Sequence, residues 1–93
     1  RMNEPAIDLG IVLAIASSKM DIIVREDTIC FGEVGLSGEV RGVTMSEQRV
    51  AEAKKLGFKK CIVPKVCLAG VSHINGIEIV GVANIKEAIE AVR

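Results

Sequence analysis

The fold of this chain is decided by the stretch Gly32-Glu33-Val34-Gly35-Leu36-Ser37-Gly38-Glu39-Val40-Arg41, in which the tripeptide Gly-Glu-Val occurs twice. Polar and apolar residues alternate on either side of the central turn, and glycine supplies the positive φ that such a turn needs. This pattern predicts a β-hairpin. The glycine spacing also suits a phosphate-binding loop, but the G-x-x-x-x-G-K-[ST] pattern is missing and no helix directly follows Gly38, so the hairpin is favoured.

Length and composition indicate one small domain with an aliphatic core. The chain has 93 residues, 49% of them hydrophobic, and its only aromatic residues are Phe31 and Phe58. Recognition of bases or sugars by aromatic stacking is therefore not expected. The longest apolar run, residues 9–16, is far shorter than the roughly 20 residues that span a bilayer, so we expect no membrane partner.

The cysteines and the histidine argue against a metal site. Cys30, Cys61 and Cys67 are odd in number and lack C-x-x-C spacing, so neither a disulfide framework nor a zinc site is indicated. Free cysteines fit a reducing, cytoplasmic compartment. His73 is the only histidine, which excludes a histidine-based triad and a multi-histidine metal site.

Charge is unevenly distributed along a chain whose formal net charge is zero. Residues 49–65 carry six basic side chains against the single acid Glu52. A local excess of this kind can attract polyanions, although a solvated helix face explains it equally well. Four of these basic residues flank a turn at Gly57, two before it and two after it. They are Lys54, Lys55, Lys59 and Lys60.

Two helices are indicated in the first two thirds of the chain. The first is capped by Asn3 and runs to about Ser17, and it is apolar nearly all round, so it must be covered on more than one side. The second opens on a capping box, Thr44-Met45-Ser46-Glu47, and ends at Gly57. Arg49 falls in the middle of the apolar arc of this second helix. An arginine there keeps its charge and needs acceptors.

Strands are predicted over residues 28–31, 60–63 and 77–82, and a last helix, capped by Asn84, runs to Val92. Strands and helices that alternate with short connections imply at least one right-handed parallel crossover. The sequence therefore predicts an α/β fold with a mixed sheet, a β-hairpin and a βαβ crossover.

Two pieces of the sequence, Glu4-Pro5-Ala6-Ile7-Asp8 and the run from Gly32 to Pro64, resemble the proteolytic domain of Lon proteases in order and spacing. They are most similar to the Lon-like C-terminal domain of a family of bacterial DNA repair ATPases. The resemblance covers nearly the whole chain and implies the ribosomal-protein-S5-domain-2-like Lon proteolytic domain fold. Because such domains have further strands before this helix, it also implies that residues 1–93 are a C-terminal fragment without its upstream strands.

The resemblance places the two catalytic residues of Lon proteases at positions that have lost their chemistry. The nucleophilic serine falls on Ala6 and the lysine that takes its proton falls on Arg49. Alanine offers no nucleophile, and arginine stays protonated at any working pH, so the pair implies that this chain is not an enzyme. We expect Arg49 to form a structural ion pair instead, with Asp8, Glu4 or Glu33 as its candidate partners.

The resemblance also implies the role of the parent protein. Such a protein carries an N-terminal zinc finger and a RecA-like ATPase core, so ATP, Mg and Zn are expected for the parent only and no cofactor for this chain. It acts as a ring-shaped hexamer in recombination and branch migration, where this domain would be the scaffold and a DNA-contacting surface built on the four lysines. Two alternatives stay open: a Lon-type serine peptidase that uses other residues, and a purely structural protein-interaction module.

Overall fold

A computed structural model describes residues 7–93 of the chain. The expected Asn3 cap and the Ala6 position lie outside the described residues. In chain order the elements are α1 (Asp8–Met20), β1 (Thr28–Cys30), β2 (Glu33–Val34), β3 (Val40–Arg41), α2 (Ser46–Lys55), β4 (Lys60–Pro64), a 3-10 turn (Lys65–Cys67), α3 (Leu68–Val71), β5 (Glu78–Val82) and α4 (Ile85–Val92).

The main sheet is parallel and has three strands in the order β1-β4-β5. Ile29 lies opposite Cys61, which in turn lies opposite Ile79. Each neighbouring pair of strands is joined through a helix, which confirms the predicted parallel crossover.

The hairpin predicted from the glycine-rich stretch is confirmed. β2 and β3 pair antiparallel, with Val34 opposite Val40. Within the described residues the hairpin forms a separate two-stranded sheet. This differs from the single mixed sheet that the sequence predicts. The hairpin is linked to the residues that follow β5 by an isolated antiparallel bridge between Glu39 and Asn84, and the Val40 N–H donates to the Ala83 carbonyl at 2.8 Å.

Helices cover both faces of the parallel sheet. The side chains of its central strand, β4, alternate between these two faces. Ile62 faces the layer of α1 and α4, where it packs with Leu13 and Ala88. Cys61 and Val63 face the layer of α2 and α3. The domain therefore has two apolar clusters separated by the sheet.

The hairpin contacts α1 at Gly32. The Leu9 N–H donates to the Gly32 carbonyl at 2.9 Å. A Cβ atom at Gly32 would lie 2.9 Å from Val40 Cγ1 and 3.2 Å from Leu9 Cδ2. A side chain at this position would therefore push the hairpin away from the helix.

Two helix ends differ from the prediction, and in both cases a residue with positive φ is responsible. α1 runs three residues beyond Ser17, to Met20, because Asp21 has φ 57° and its N–H caps the Ser17 carbonyl. α2 begins at Ser46 because Met45 has φ 59° and occupies the N-cap without a side-chain cap bond. The predicted capping box from Thr44 is therefore wrong.

Candidate nucleic-acid interface

Three of the four predicted lysines are exposed around the turn that follows α2. Lys54 and Lys55 end the helix, and Lys59 precedes β4. Gly57 reverses the chain between them with φ +99°, and the Phe58 N–H donates to the Ala53 carbonyl at 3.0 Å. Glycine is the residue that most often adopts this left-handed conformation at the C-terminal end of a helix. The turn brings residues 54 and 55 and residues 59 and 60 to the same end of the parallel sheet.

Backbone hydrogen bonds hold Lys59 at the edge where the parallel strands begin. Its N–H donates to the Asp27 carbonyl at 2.9 Å, and its own carbonyl accepts from the Glu78 N–H at 2.9 Å. On the other side of the turn, the Lys54 side chain runs close to Gly76, where an added Cβ would lie 2.9 Å from Lys54 Cε. The three exposed lysines therefore project from a surface supported by strands as well as a helix.

Lys60 departs from the predicted group of four. It is half-buried, and its Nζ donates to the Ala91 carbonyl at 2.5 Å, near the C-terminal end of α4. Alternation along β4 is the reason, because Lys60 lies on the same face of the sheet as Ile62. An ammonium group is favourable at the negative end of a helix. Lys60 therefore directs its ammonium group to the α4 face of the sheet, and the DNA-binding role of the four lysines stays a prediction.

An acidic group lies beside this basic surface. The Asp27 carboxylate accepts from Arg25 Nε at 3.2 Å, and this bond lowers the pKa of Asp27. The same carboxylate also interacts electrostatically with the Lys59 ammonium group, which lowers the pKa of Asp27 further. Lys54, Lys55 and Lys59 still outnumber this one acid, and a phosphate backbone is bound mainly through such positive charges.

Arg49 lies on the inner side of α2, half-buried between the helix and β1. Its Nε donates to the Thr44 carbonyl at 2.9 Å, and its guanidinium carbon stands 5.9 Å from the centre of the Phe31 ring. That distance suits a cation–π contact. Asp8, the expected partner, accepts from the Val34 N–H at 3.4 Å. The Arg49–Asp8 pair stays a prediction, as does the role of Ala6.

Cys30 and Cys61 are not poised as nucleophiles. Burial raises the pKa of the Cys30 thiol to about 11 and that of Cys61 to about 12. A thiol must lose its proton to attack, so both are unreactive near neutral pH. Among residues 7–93 there is no group of three or more histidine, cysteine or acidic residues that could hold a metal ion.

Two polar contacts have no clear signal in the sequence. His73 Nε2 lies 2.9 Å from Glu47 Oε2 and so links the loop after α3 to the first turn of α2. The Glu39 carboxylate folds back over the hairpin turn and accepts from the Ser37 N–H at 3.1 Å. Glu47 is free to meet His73 because the left-handed Met45 replaces the predicted capping box.

Within the part of the chain that is described, no helix has the length and apolar character needed to cross a bilayer.

Comparisons with known proteins find matches over most of the chain. The sequence profile of the family described as subunit ChlI of Mg-chelatase matches residues 1–67. A DNA repair protein RadA from Bacillus subtilis (strain 168) is 53% identical over 89 residues, which are 96% of this chain and 19% of that protein. The RadA of Streptococcus pyogenes serotype M3 is 46% identical over 92 residues, 99% of this chain and 20% of its own. That of Aquifex aeolicus (strain VF5) is 47% identical over 89 residues, 96% of this chain and 19% of its own. The chain thus spans about a fifth of the length of these curated relatives.

Proposed function

This chain belongs to the family described as subunit ChlI of Mg-chelatase, and we propose that it serves as one domain of a DNA repair protein of the RadA (Sms) type. The observation that carries the proposal is the identity to DNA repair protein RadA, 53% over 96% of the chain in the Bacillus subtilis relative. That identity covers both layers of the fold and the lysine-bearing turn. The family description matches residues 1–67 only, so the relatives are the better guide to function.

The proposed domain is Lon-like and without catalytic activity of its own. Support comes from the chemistry of the two positions that would hold the dyad. Ala6 has no hydroxyl or thiol, and Arg49 carries a permanent positive charge that its contacts with the Thr44 carbonyl and Phe31 stabilise further. A cation that keeps its proton cannot serve as a general base.

The parent protein is then an ATP-dependent DNA repair ATPase that works as a hexameric ring. ATP, Mg and Zn would be bound by its other parts, and we assign no cofactor to this chain. The domain contributes a scaffold for the ring and a surface for DNA. The exposed lysines support the second role, because phosphate contacts need charge and no defined base-reading side chains.

The test of DNA binding uses the full-length protein that contains this chain. The variant Lys54→Ala/Lys55→Ala/Lys59→Ala should bind all DNA sequences about equally more weakly. The slope of log affinity against log salt should fall by about 1 for each lysine–phosphate interaction that the substitutions remove. Fluorescence anisotropy with two unrelated DNA duplexes at several salt concentrations measures both quantities.

A charge-matched control is available elsewhere on the surface. Lys19→Ala/Lys65→Ala/Lys86→Ala removes three exposed lysines from other elements and should leave the salt slope unchanged. Equal losses of affinity in the two triple variants would mean that only net charge matters. Unchanged affinity in both would leave a structural protein-interaction module as the better description of this domain.

A further inference from the structure

The turn after α2 carries one of the two aromatic residues of the chain. Phe58 lies between Lys55 and Lys59 in the sequence and is half-buried. The other ring, Phe31, packs against the cluster of α2 and α3 and stands 5.9 Å from the guanidinium carbon of Arg49. Among the described residues, Phe58 belongs to neither of the two apolar clusters. Part of its ring surface therefore remains available to a ligand.

The backbone holds Phe58 in one position. Its N–H donates to the Ala53 carbonyl at 3.0 Å, and the Gly57 N–H donates to the Lys54 carbonyl at 3.1 Å. These two hydrogen bonds form the Schellman motif, in which a left-handed residue after the helix is followed by an apolar one. A side chain with few rotatable bonds on such a fixed turn loses little conformational freedom when it binds.

The surroundings of Phe58 are basic. Residues 49–65, which include the turn, carry six basic side chains and one acidic one, and the three exposed lysines lie directly before and after the turn. Asp27, the acid beside Lys59, is already bound by Arg25 Nε at 3.2 Å. An aromatic ring flanked by lysines matches the two chemical features of a nucleotide, which are a negatively charged phosphate and a base with a π-face.

Single-stranded nucleic acid has both of these features accessible. In a duplex the faces of the bases are covered by their stacked neighbours, whereas an unpaired base can pack on an aromatic side chain. We propose that Phe58 stacks on one unpaired base of a single strand whose phosphates contact the three exposed lysines. The composition argues against a platform for several bases, and a single ring accommodates one. The inference rests on the proposed DNA-binding role of this turn and adds the form of DNA that it prefers.

Stacking has to be separated from the structural role of the same side chain. The apolar residue of a Schellman motif packs against the last turn of the helix. Leucine can keep this contact but has no π-face, so Phe58→Leu removes the proposed stacking and preserves an apolar residue after Gly57. Phe31→Leu is the matched control, because Phe31 is also half-buried but packs against the cluster of α2 and α3.

The experiment measures binding of the full-length protein to three DNA probes by fluorescence anisotropy. The probes are a single-stranded oligothymidylate, an abasic strand of the same length, and a duplex. Phe58→Leu should weaken binding to the oligothymidylate about fivefold or more and should leave the affinity for the abasic strand and the duplex unchanged. The slope of log affinity against log salt should stay at the wild-type value, since no charge is removed. Phe31→Leu should change none of these quantities.

A second variant reports on the contact itself. This chain contains no tryptophan, so Phe58→Trp introduces an indole at the turn. The fluorescence that it adds over the wild type should be quenched by the oligothymidylate but not by the abasic strand. Circular dichroism establishes that each variant is folded.

Three outcomes would overturn the stacking proposal. They are wild-type affinity of Phe58→Leu for the oligothymidylate, an equal loss of its affinity for the abasic strand, and equal quenching of Phe58→Trp by both strands. Failure of the lysine variants to change the salt slope is a different result, which would overturn DNA binding by this turn as a whole.

Discussion

Helices α1 and α4 pack on the same face of the sheet, yet they are held there in different ways. α4 is amphipathic: Ala88 and Val92 are buried, and Glu90 is exposed. α1 buries Leu9 and Leu13 but leaves Ile11 and Ile15 51% and 57% exposed. An apolar pattern fixes the orientation of a helix only when it is confined to one side. In α1 the neighbours in space, and not the pattern, decide which apolar residues are buried.

The largest expected effect comes from the buried side of α1. Leu13→Ala should reduce the free energy of unfolding by about 2–5 kcal/mol, because it removes a leucine packed with Ile62 and leaves a cavity. Urea denaturation of the domain measures the reduction. A value below about 1 kcal/mol would show that α1 does not share the core with α4, and the contrast between the two helices would not hold.

The next effect concerns the start of α4. Asn84 Oδ1 accepts from the Glu87 N–H at 2.8 Å, as predicted for an N-cap. Asn84→Ala should cost about 1 kcal/mol, whereas Asn84→Asp, which also caps well, should cost much less. The same urea titration separates the two variants. A free energy of unfolding unchanged by Asn84→Ala would mean that the cap contributes nothing and that burial alone positions α4.

The smallest effect is expected on the outer side of α1. Ile15→Ala should change the free energy of unfolding of the 93-residue chain by no more than about 0.5 kcal/mol, since more than half of the side chain is already exposed. The same measurement in the full-length protein shows whether the outer face of α1 is exposed to solvent or covered by another part of the protein. Destabilisation above about 1.5 kcal/mol there would show that another part of the protein covers this face of α1.

The candidate interface was predictable in part. Exposure of Lys54, Lys55 and Lys59 follows from a charged helix end and a glycine turn, both of which can be read in the sequence. The position of Lys60 could not be read in the same way. Its ammonium group lies at the end of α4 because β4 is the central strand and its alternate residues face opposite layers. That fact depends on strand order, which a local pattern does not contain.

Elements with a local cause could be predicted from the amino-acid sequence alone. Glycines at the Gly35 to Gly38 turn and Asn84 before the last helix each act within a few residues, so the hairpin and the α4 cap were predicted correctly. The parallel crossover was predicted from the order of strands and helices along the chain. Features that depend on distant partners were decided only by the tertiary structure. The exposed face of α1, the separation of the hairpin from the parallel sheet and the His73–Glu47 contact belong to this class. Burial and long-range pairing are properties of the packed chain, because they depend on which elements become neighbours.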